Sequence, residues 1–528
     1  MERNLEHMAS QSYDLLVIGG GIYGACVAWD AAQRGLRTAL VEQHDFGHAT
    51  SANSLKTLHG GLRYLQDGNL PLTRTMIRER RAWLHIAPHL TRPLPFLLPT
   101  HGHGKHSRPI LAAALKLNDL VAHDRNHGLP PTHHLPASRT FSRQQAIQQI
   151  PALANLPLTG AAQWYDAQLL DSERLLLTIL HAAVTAGADI ANYAAAQSLL
   201  RTANRVSGAN VVDCHNGRIH PITAQLTINC TGAWTDALLS AAAAPRFSLS
   251  LATNLITRQI VPHTAVGFFS HTHTPDGQPR RRILFAVPWG DYSIIGTLHQ
   301  PCPHTQPTFR LPEATIQAFL DEINTAWPAA ALSRADVRHV QIGYLPTEGN
   351  VTDEVHLLRQ ERIHDHEAED GLPGLLTAVG VKYTTARHVA EQLVDLAAQK
   401  LARPLPPSRT ATTTLAAATP PANETERHLY GRYGLTTPQL ITLLQQNPAW
   451  ANPITHNPCV LAVEIIHAIR HEMAHTLTDV IRRRTPLGAA GPPPPNVLHT
   501  CAHLIAAELG WLTQKTEEEV TAVIHSYN

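Results

Sequence analysis

Residues 14–42 carry the feature that most restricts how this chain can fold. Leu15-Leu16-Val17-Ile18 is a short apolar run of buried-strand type. Gly19-Gly20-Gly21-Ile22-Tyr23-Gly24 follows at once, and an alanine-rich helical stretch then runs to Arg34 and stops at Gly35. Thr38-Ala39-Leu40-Val41 reads as a second strand, ending at Glu42. Strand, glycine turn, helix and strand in this order make a βαβ start and place the chain in the α/β class. Gly19 permits the tight turn, Gly21 lets backbone approach a pyrophosphate, and Gly24 lets the helix pack close to the strand. The helix N-terminus presents N–H groups and partial positive charge to phosphates. Glu42, roughly 20 residues beyond the glycines, is placed to accept hydrogen bonds from an adenosine ribose. The expected ligand is a dinucleotide.

The rest of the chain bounds that reading. Its 528 residues suffice for two or three domains. A net charge of +1 gives no footing for nucleic acid. The six cysteines are scattered without a Cys-x-x-Cys pair, which argues against a disulfide framework or a thiolate zinc site and suits a reducing, cytoplasmic compartment. No apolar run approaches the ~20 residues of a spanning helix, and no signal peptide is recognisable. The 34 histidines read mostly as surface replacements for Lys and Arg. The first dozen residues are polar and unpatterned and stand outside the expected fold.

Ser172 sits at an N-cap position for an amphipathic helix through about Ala186. Strands are expected near Val206–Asp213 and Gln225–Asn229, with a hairpin over Arg282–Gly296 in a second, antiparallel sheet. Leu375–Val379 is a further strand, followed by a helix from about Thr384. The expected organisation is interleaved domains over 13–400, a Pro/Thr/Ala-rich linker over 401–423 and a helical domain over 424–528, broken by a loop at Gly491-Pro492-Pro493-Pro494-Pro495.

FAD is favoured over NAD by the motif's place at the start of a long chain. A second signal agrees: Thr227-Ile228-Asn229-Cys230-Thr231-Gly232 is a strand ending in Thr-Gly that resembles the later FAD-contacting strand of two-dinucleotide-binding flavoproteins, where a small residue and glycine, here Thr231 and Gly232, let backbone approach the cofactor. With the pieces Ala49-Thr50-Ser51, His59-Gly60-Gly61-Leu62-Arg63-Tyr64, Pro288-Trp289, Ser293-Ile294-Ile295-Gly296-Thr297 and Gly380-Val381-Lys382-Tyr383-Thr384-Thr385-Ala386-Arg387, the chain resembles the FAD-dependent glycerol-3-phosphate dehydrogenase family over nearly its whole length. Arg470-His471-Glu472-Met473-Ala474 and Arg483-Arg484-Thr485 resemble that family's C-terminal helices.

The resemblance implies an FAD-binding, Rossmann-like domain of the two-dinucleotide-binding, DAO type, with an antiparallel-sheet substrate domain and a C-terminal helical domain. It implies oxidation of sn-glycerol 3-phosphate, or a similar small phosphorylated alcohol, by hydride transfer to flavin, with electrons passed to quinone at the inner face of a membrane; a homodimer is compatible with it. The residues it assigns to cofactor are Gly19, Gly21, Gly24, Glu42, Thr50, Ser51, Thr231, Gly232, Gly380, Lys382, Thr384 and Thr385. His59, Arg63, Tyr64 and Lys382 would serve catalysis, and Arg63 and Arg359 the substrate phosphate. Read without the resemblance, His59 to Tyr64 fits an ordinary surface turn as well as it fits a site.

Two departures bear on the substrate. The family's second phosphate-binding arginine falls on Leu345, and a Gly-Ser-His segment is shortened to Thr257-Arg258-Gln259-Ile260, leaving Arg258 or Arg281 as stand-ins. A flavin oxidase of another small hydroxy or amino acid, or a catalytically silent flavoprotein, is therefore the alternative. His471-Glu472-Met473-Ala474-His475 matches a zinc-protease pattern that on a helix would put both histidines on one face, but no third ligand follows and no metal is expected. Residues 101–127 mix Lys105, Arg108 and Lys116 with the apolar Ile110–Leu115 and could lie on a membrane surface.

Overall fold

The computed structural model describes residues 1–104, 106–239, 248–273, 279–302, 310–348, 355–419 and 421–527. Its first sheet is built outward from the opening strand. Ser12–Ile18 pairs in parallel with Thr38–Val41 on one side and with Ile219–Asn229 on the other, so that Val17 faces Leu40 and Ile228. Leu375–Val379 extends the sheet beyond Ile219–Asn229, Asp189–Ala191 extends it beyond Thr38–Val41, and Arg362–Asp365 closes one edge antiparallel. Leu15 and Val17 belong to one apolar cluster with the helices Ile22–Gln33, Ser172–Thr185 and Ala386–Lys400, including Trp29, Leu176 and Leu393. Strand residues buried on both faces explain the unbroken apolar run.

Among the described residues the second sheet has nine strands. The expected hairpin is Pro279–Trp289 and Tyr292–Cys302, turning at Gly290 with φ +55°. Leu249–Arg258 and Val337–Pro346 continue it antiparallel, while Ala265–His273 meets Thr91–Thr100 in a parallel pairing, the exception in an otherwise antiparallel sheet. From Glu424 onward the chain is mainly helical around its own apolar clusters.

Three local expectations are corrected. The first residues are not idle: Leu5–Ser10 is helical, Leu5 and Met8 are buried a turn apart, and Arg3 pairs with Asp213 at 2.6 Å. The N-cap of the helix Ser172–Thr185 is Asp171, whose carboxylate accepts from Arg174 N–H. Pro495 belongs to the helix Pro495–Leu509 at its first position, where a missing N–H costs nothing. The Pro/Thr/Ala-rich stretch has little regular structure but packs tightly, with Leu415 buried in the main core and Ser408 donating to Asp30. Among the described residues no helix is long and apolar enough to cross a membrane.

Candidate active site

A cavity of about 590 Å³ runs between the two sheets, from the glycine turn to the segment 380–384. Its outer end is made of backbone. Gly19 has φ +110°, and a Cβ there would lie 2.5 Å from the Cys230 carbonyl oxygen; a Cβ on Gly24 would lie 1.9 Å from the Gly19 oxygen. Gly24 packs closely on the Gly19 backbone and does not line the cavity. Gly21 caps the helix Ile22–Gln33 without a side chain, and Ser51 Oγ accepts from Ile22 N–H at 3.0 Å. Glu42 takes Gly20 N–H on one oxygen and His44 N–H on the other, at 2.6 and 2.9 Å. Burial raises its pKa against those two donors. Each carboxylate oxygen keeps a lone pair for a ribose hydroxyl.

The loop carrying Glu42 is anchored from outside the sheet. Asp45, 1 % exposed, accepts two bonds from Arg484 at 2.6 and 2.7 Å, one from Arg483 and one from Asn192. The arginines come from the turn Val480–Arg484 of the helical region, so the C-terminal part of the chain grips the nucleotide loop directly.

Thr50, Ser51, Thr231, Gly232 and Gly380 line the cavity between its ends. Thr50 Oγ1 bridges to Tyr344 backbone in the second sheet, accepting from N–H at 2.9 Å. Gly380 is glycine because a Cβ would meet the Tyr23 ring at 2.2 Å. Glycine cradle, a helix terminus capped by glycine, ribose carboxylate and a continuous cleft fit FAD, which would lie along it from Glu42 to Lys382.

The inner end is made of side chains. Gly60 N–H donates to Asp166 at 2.6 Å, and Gly61, at φ +77°, starts the helical turn Leu62–Gln66 that carries Arg63 and Tyr64. His59 lines the cavity and its ring is 6.5 Å from that of Tyr64. Burial lowers the His59 pKa to about 4 and raises that of Tyr64 to about 12. Lys382 and Thr384 also line the cavity. Thr385 does not; it sits behind them as N-cap of the helix Ala386–Lys400, its hydroxyl on Glu361. Arg387, part of the same motif, pairs with buried Glu79 and serves the fold.

Arg63, Tyr64 and Arg359 stand outside the cavity wall. Arg63 is exposed, and Arg359 is 66 % exposed and paired with Asp67 at 3.3 Å. Neither proposed stand-in reaches the site: Arg258 binds Asp336 and the Ala330 carbonyl, and Arg281 lies 4.2 Å over the Phe269 ring. Leu345 does line the cavity, so the missing arginine leaves an apolar wall. Beside this apolar side chain the wall is polar: Asn254, Thr297 and His299 line it, with Thr297 Oγ1 donating to Asn254 Oδ1 at 2.8 Å. Sequence reading assigned none of the three to the site: Asn254 and His299 lie on sheet strands outside any motif, and Thr297 ends the piece Ser293–Thr297 without a role of its own. Glu361 was missed too, although its closeness to Arg359 was a usable signal.

The zinc-protease pattern is broken by geometry. The helix Ala462–His471 ends at His471, and Met473 has φ +53°, so the two histidines do not share a helical face. Glu472 instead lies wholly buried beneath Arg174, with His467 Nε2 at 3.3 Å and His181 Nε2 at 3.5 Å from Oε1. These three side chains are close enough to hold a metal ion. Burial would raise the Glu472 pKa, yet Arg174 and then His467 hold it well below the usual carboxylate range. With Arg174 on one oxygen and Arg484 Nε 3.9 Å from the other, the carboxylate is already neutralised, and the cluster reads as an ion-pair hub.

The family model of FAD-dependent oxidoreductases matches residues 14–396, and that of the C-terminal domain of alpha-glycerophosphate oxidase matches residues 399–516. The glycerol-3-phosphate dehydrogenase of Synechocystis sp. is 32% identical over 518 residues, covering 92% of this chain and 90% of the relative. Glycerol-3-phosphate dehydrogenase 2 of Mycobacterium tuberculosis is 30% identical over 541 residues, covering 98% and 88%. The structure of glycerol-3-phosphate dehydrogenase from Bacillus halodurans complexed with FAD superposes at a TM-score of 0.72 and 23% identity, covering 98% of this chain and 95% of that one.

Proposed function

The chain belongs to the FAD-dependent oxidoreductase family, and we propose that it oxidises glycerol 3-phosphate, or a similar small phosphorylated alcohol, at the inner end of the cleft. The carrying observation is the single cavity that joins the glycine turn and Glu42 to His59 and Lys382. FAD, when bound, supplies the hydride acceptor. His59 is unprotonated at neutral pH, so its imidazole is available to the substrate hydroxyl as hydrogen-bond acceptor or base. Tyr64 keeps its proton and orients that hydroxyl as a donor. Lys382 and the N-terminus of the helix Ala386–Lys400, with Thr384 and Thr385, stabilise negative charge arriving on the cofactor. Arg63 and Arg359 reach in from the mouth to take the phosphate, Arg359 leaving Asp67 to do so.

The same proposal includes quinone as electron acceptor and docking on the inner face of the cytoplasmic membrane. Support comes from the helix Arg108–Val121, which buries Leu111 and Leu115 and exposes Ile110, Leu117 and Leu120 beside Arg108 and Lys116; Lys105 lies outside the described residues. Homodimer formation and the division into interleaved domains over 13–400, a linker over 401–423 and a helical domain over 424–528 complete it.

A second reading, an oxidase of a smaller, unphosphorylated hydroxy or amino acid, is favoured by Leu345 and by the carboxylate already on Arg359. Anaerobic bleaching of the flavin by glycerol 3-phosphate and not by glycerol or lactate is the expected result. Faster bleaching by the unphosphorylated compounds would transfer the function to the second reading. Reoxidation by a short-chain quinone and by oxygen, compared in one instrument, settles the acceptor.

A further inference from the structure

Lys382 is the only lysine or arginine among the described residues lining the cavity. With Leu345 where a second arginine was expected, the charge of the inner end rests heavily on this one ammonium. Its surroundings are set by strand register. Arg362–Asp365 runs antiparallel to Leu375–Val379 with Arg362 opposite Val379, and continuing that register brings residues 359–361 alongside 380–382. Nζ donates to the Arg359 carbonyl at 2.6 Å, stands 3.6 Å from Glu361 Oε1, and lies 5.4 Å from the Tyr64 ring centroid. Glu361 is itself held, its Oε1 taking the hydroxyl of buried Thr385, and its side chain is 11 % exposed.

The neighbouring charges divide unequally. His59 is neutral and Tyr64 protonated near pH 7. Arg63 and Arg359 are cations, and Asp67 is spent on Arg359. Tyr23 touches only the Lys382 backbone. Glu361 is the one carboxylate within ion-pair distance of Nζ among the described residues.

We propose that Glu361 is a positioning residue for the reaction, holding the Lys382 ammonium at the inner end of the cleft. Burial pulls the Lys382 pKa down and Glu361 opposes that pull. The proposal rests on the reading that this end of the cleft is where substrate reacts, but it is tested apart from it.

The test uses FAD-loaded, full-length protein and the variants Glu361→Gln and Glu361→Asp. Glutamine keeps an oxygen for Thr385 and removes the charge, so the fold is preserved; aspartate keeps the charge one methylene farther back. The first readout is labelling of Lys382 by an amine-directed reagent against pH, followed by mass spectrometry. The labelling midpoint should fall by about one pH unit in Glu361→Gln and by less in Glu361→Asp. The alkaline limb of kcat/KM should fall with it, at unchanged flavin content. An unmoved midpoint in both variants overturns the proposal, as does a midpoint that moves while the alkaline limb stays. Failure of glycerol 3-phosphate to bleach the wild-type flavin would sink the substrate reading and leave the labelling result standing.

Discussion

The two ends of the cleft are built on different principles. At the nucleotide end the contacts are backbone atoms and wholly buried charges, Glu42 and Asp45 among them, locked from behind by Arg483 and Arg484. At the reacting end they are side chains, each already engaged: exposed Arg359 with Asp67, largely buried Lys382 with Glu361. The first end is specified by what cannot be added, since a Cβ on Gly19 or Gly24 has no room. The second is specified by what can be exchanged, since replacing arginine by Leu345 leaves the wall intact and changes only what it attracts. The difference separates cofactor from substrate: the same frame can hold FAD while the chemistry at its far end is retuned.

The sharpest way to break the comparison is at its buried clamp. Arg484→Ala removes a guanidinium that binds the Asp45 carboxylate and donates to the Glu472 carbonyl at 2.9 Å, leaving both acceptors short of a donor. Breaking a buried pair of this kind costs about 3–5 kcal/mol. Denaturant midpoint and flavin release should both worsen, whereas Arg359→Ala at the other end should weaken substrate binding and leave flavin retention alone. Retention of flavin by Arg484→Ala at wild-type strength would remove the link between the helical region and the nucleotide loop.

Acid should act on the same end. Burial holds His181 and His89 near pKa 4. A histidine kept neutral in the fold but titrating near 6.5 when unfolded favours the folded state above pH 6.5. That advantage shrinks as pH drops from 6.5 toward 4, by about 1.4 kcal/mol per pH unit for each such group, and is then exhausted. Thermal unfolding across that window should track flavin release, and His181→Asn should flatten the slope. An unaltered slope in that variant would take the hub out of the account.

The glycine turn offers a smaller but cleaner break. Gly24→Ala puts a methyl 1.9 Å from a backbone oxygen, so strand and helix must part at the phosphate site. A cost of roughly 2–3 kcal/mol is expected, read as a loss of visible absorbance per mole of protein at matched FAD concentration. Full flavin loading in the variant would show that the helix has more play than the packing implies.

What could be read from the sequence follows the same divide. The opening βαβ unit, the strand Leu375–Val379 and the Pro279–Cys302 hairpin carry local signals, because periodicity and glycine geometry act over a few residues. Long-range partners carry none. Nothing in the first dozen residues announced that Arg3 would meet Asp213, and nothing in Arg483-Arg484 announced Asp45. The pattern at His471–His475 was real as spelling and false as geometry, since its helix ends inside it. Arg258 and Arg281 had the right charge but were committed to Asp336 and Phe269, commitments only the assembled sheet creates.

The reacting end can be sharpened by restoring what it lacks. Leu345 lies on the strand Val337–Pro346 with its side chain at the cavity, and that strand is pinned to Thr50 through Tyr344, so an arginine placed there projects from a fixed point. Leu345→Arg should lower the Kd for glycerol 3-phosphate about tenfold, or ~1.4 kcal/mol, a charge-assisted contact discounted for the ordering of a long side chain. Affinity for glycerol should not change, and flavin content should stay at the wild-type level because the pyrophosphate end is untouched. Titration of the flavin spectrum with each ligand measures both. Equal tightening toward the two ligands would mean that the arginine acts on the cleft as a whole, and the separation between an end that holds cofactor and an end that chooses substrate would no longer stand.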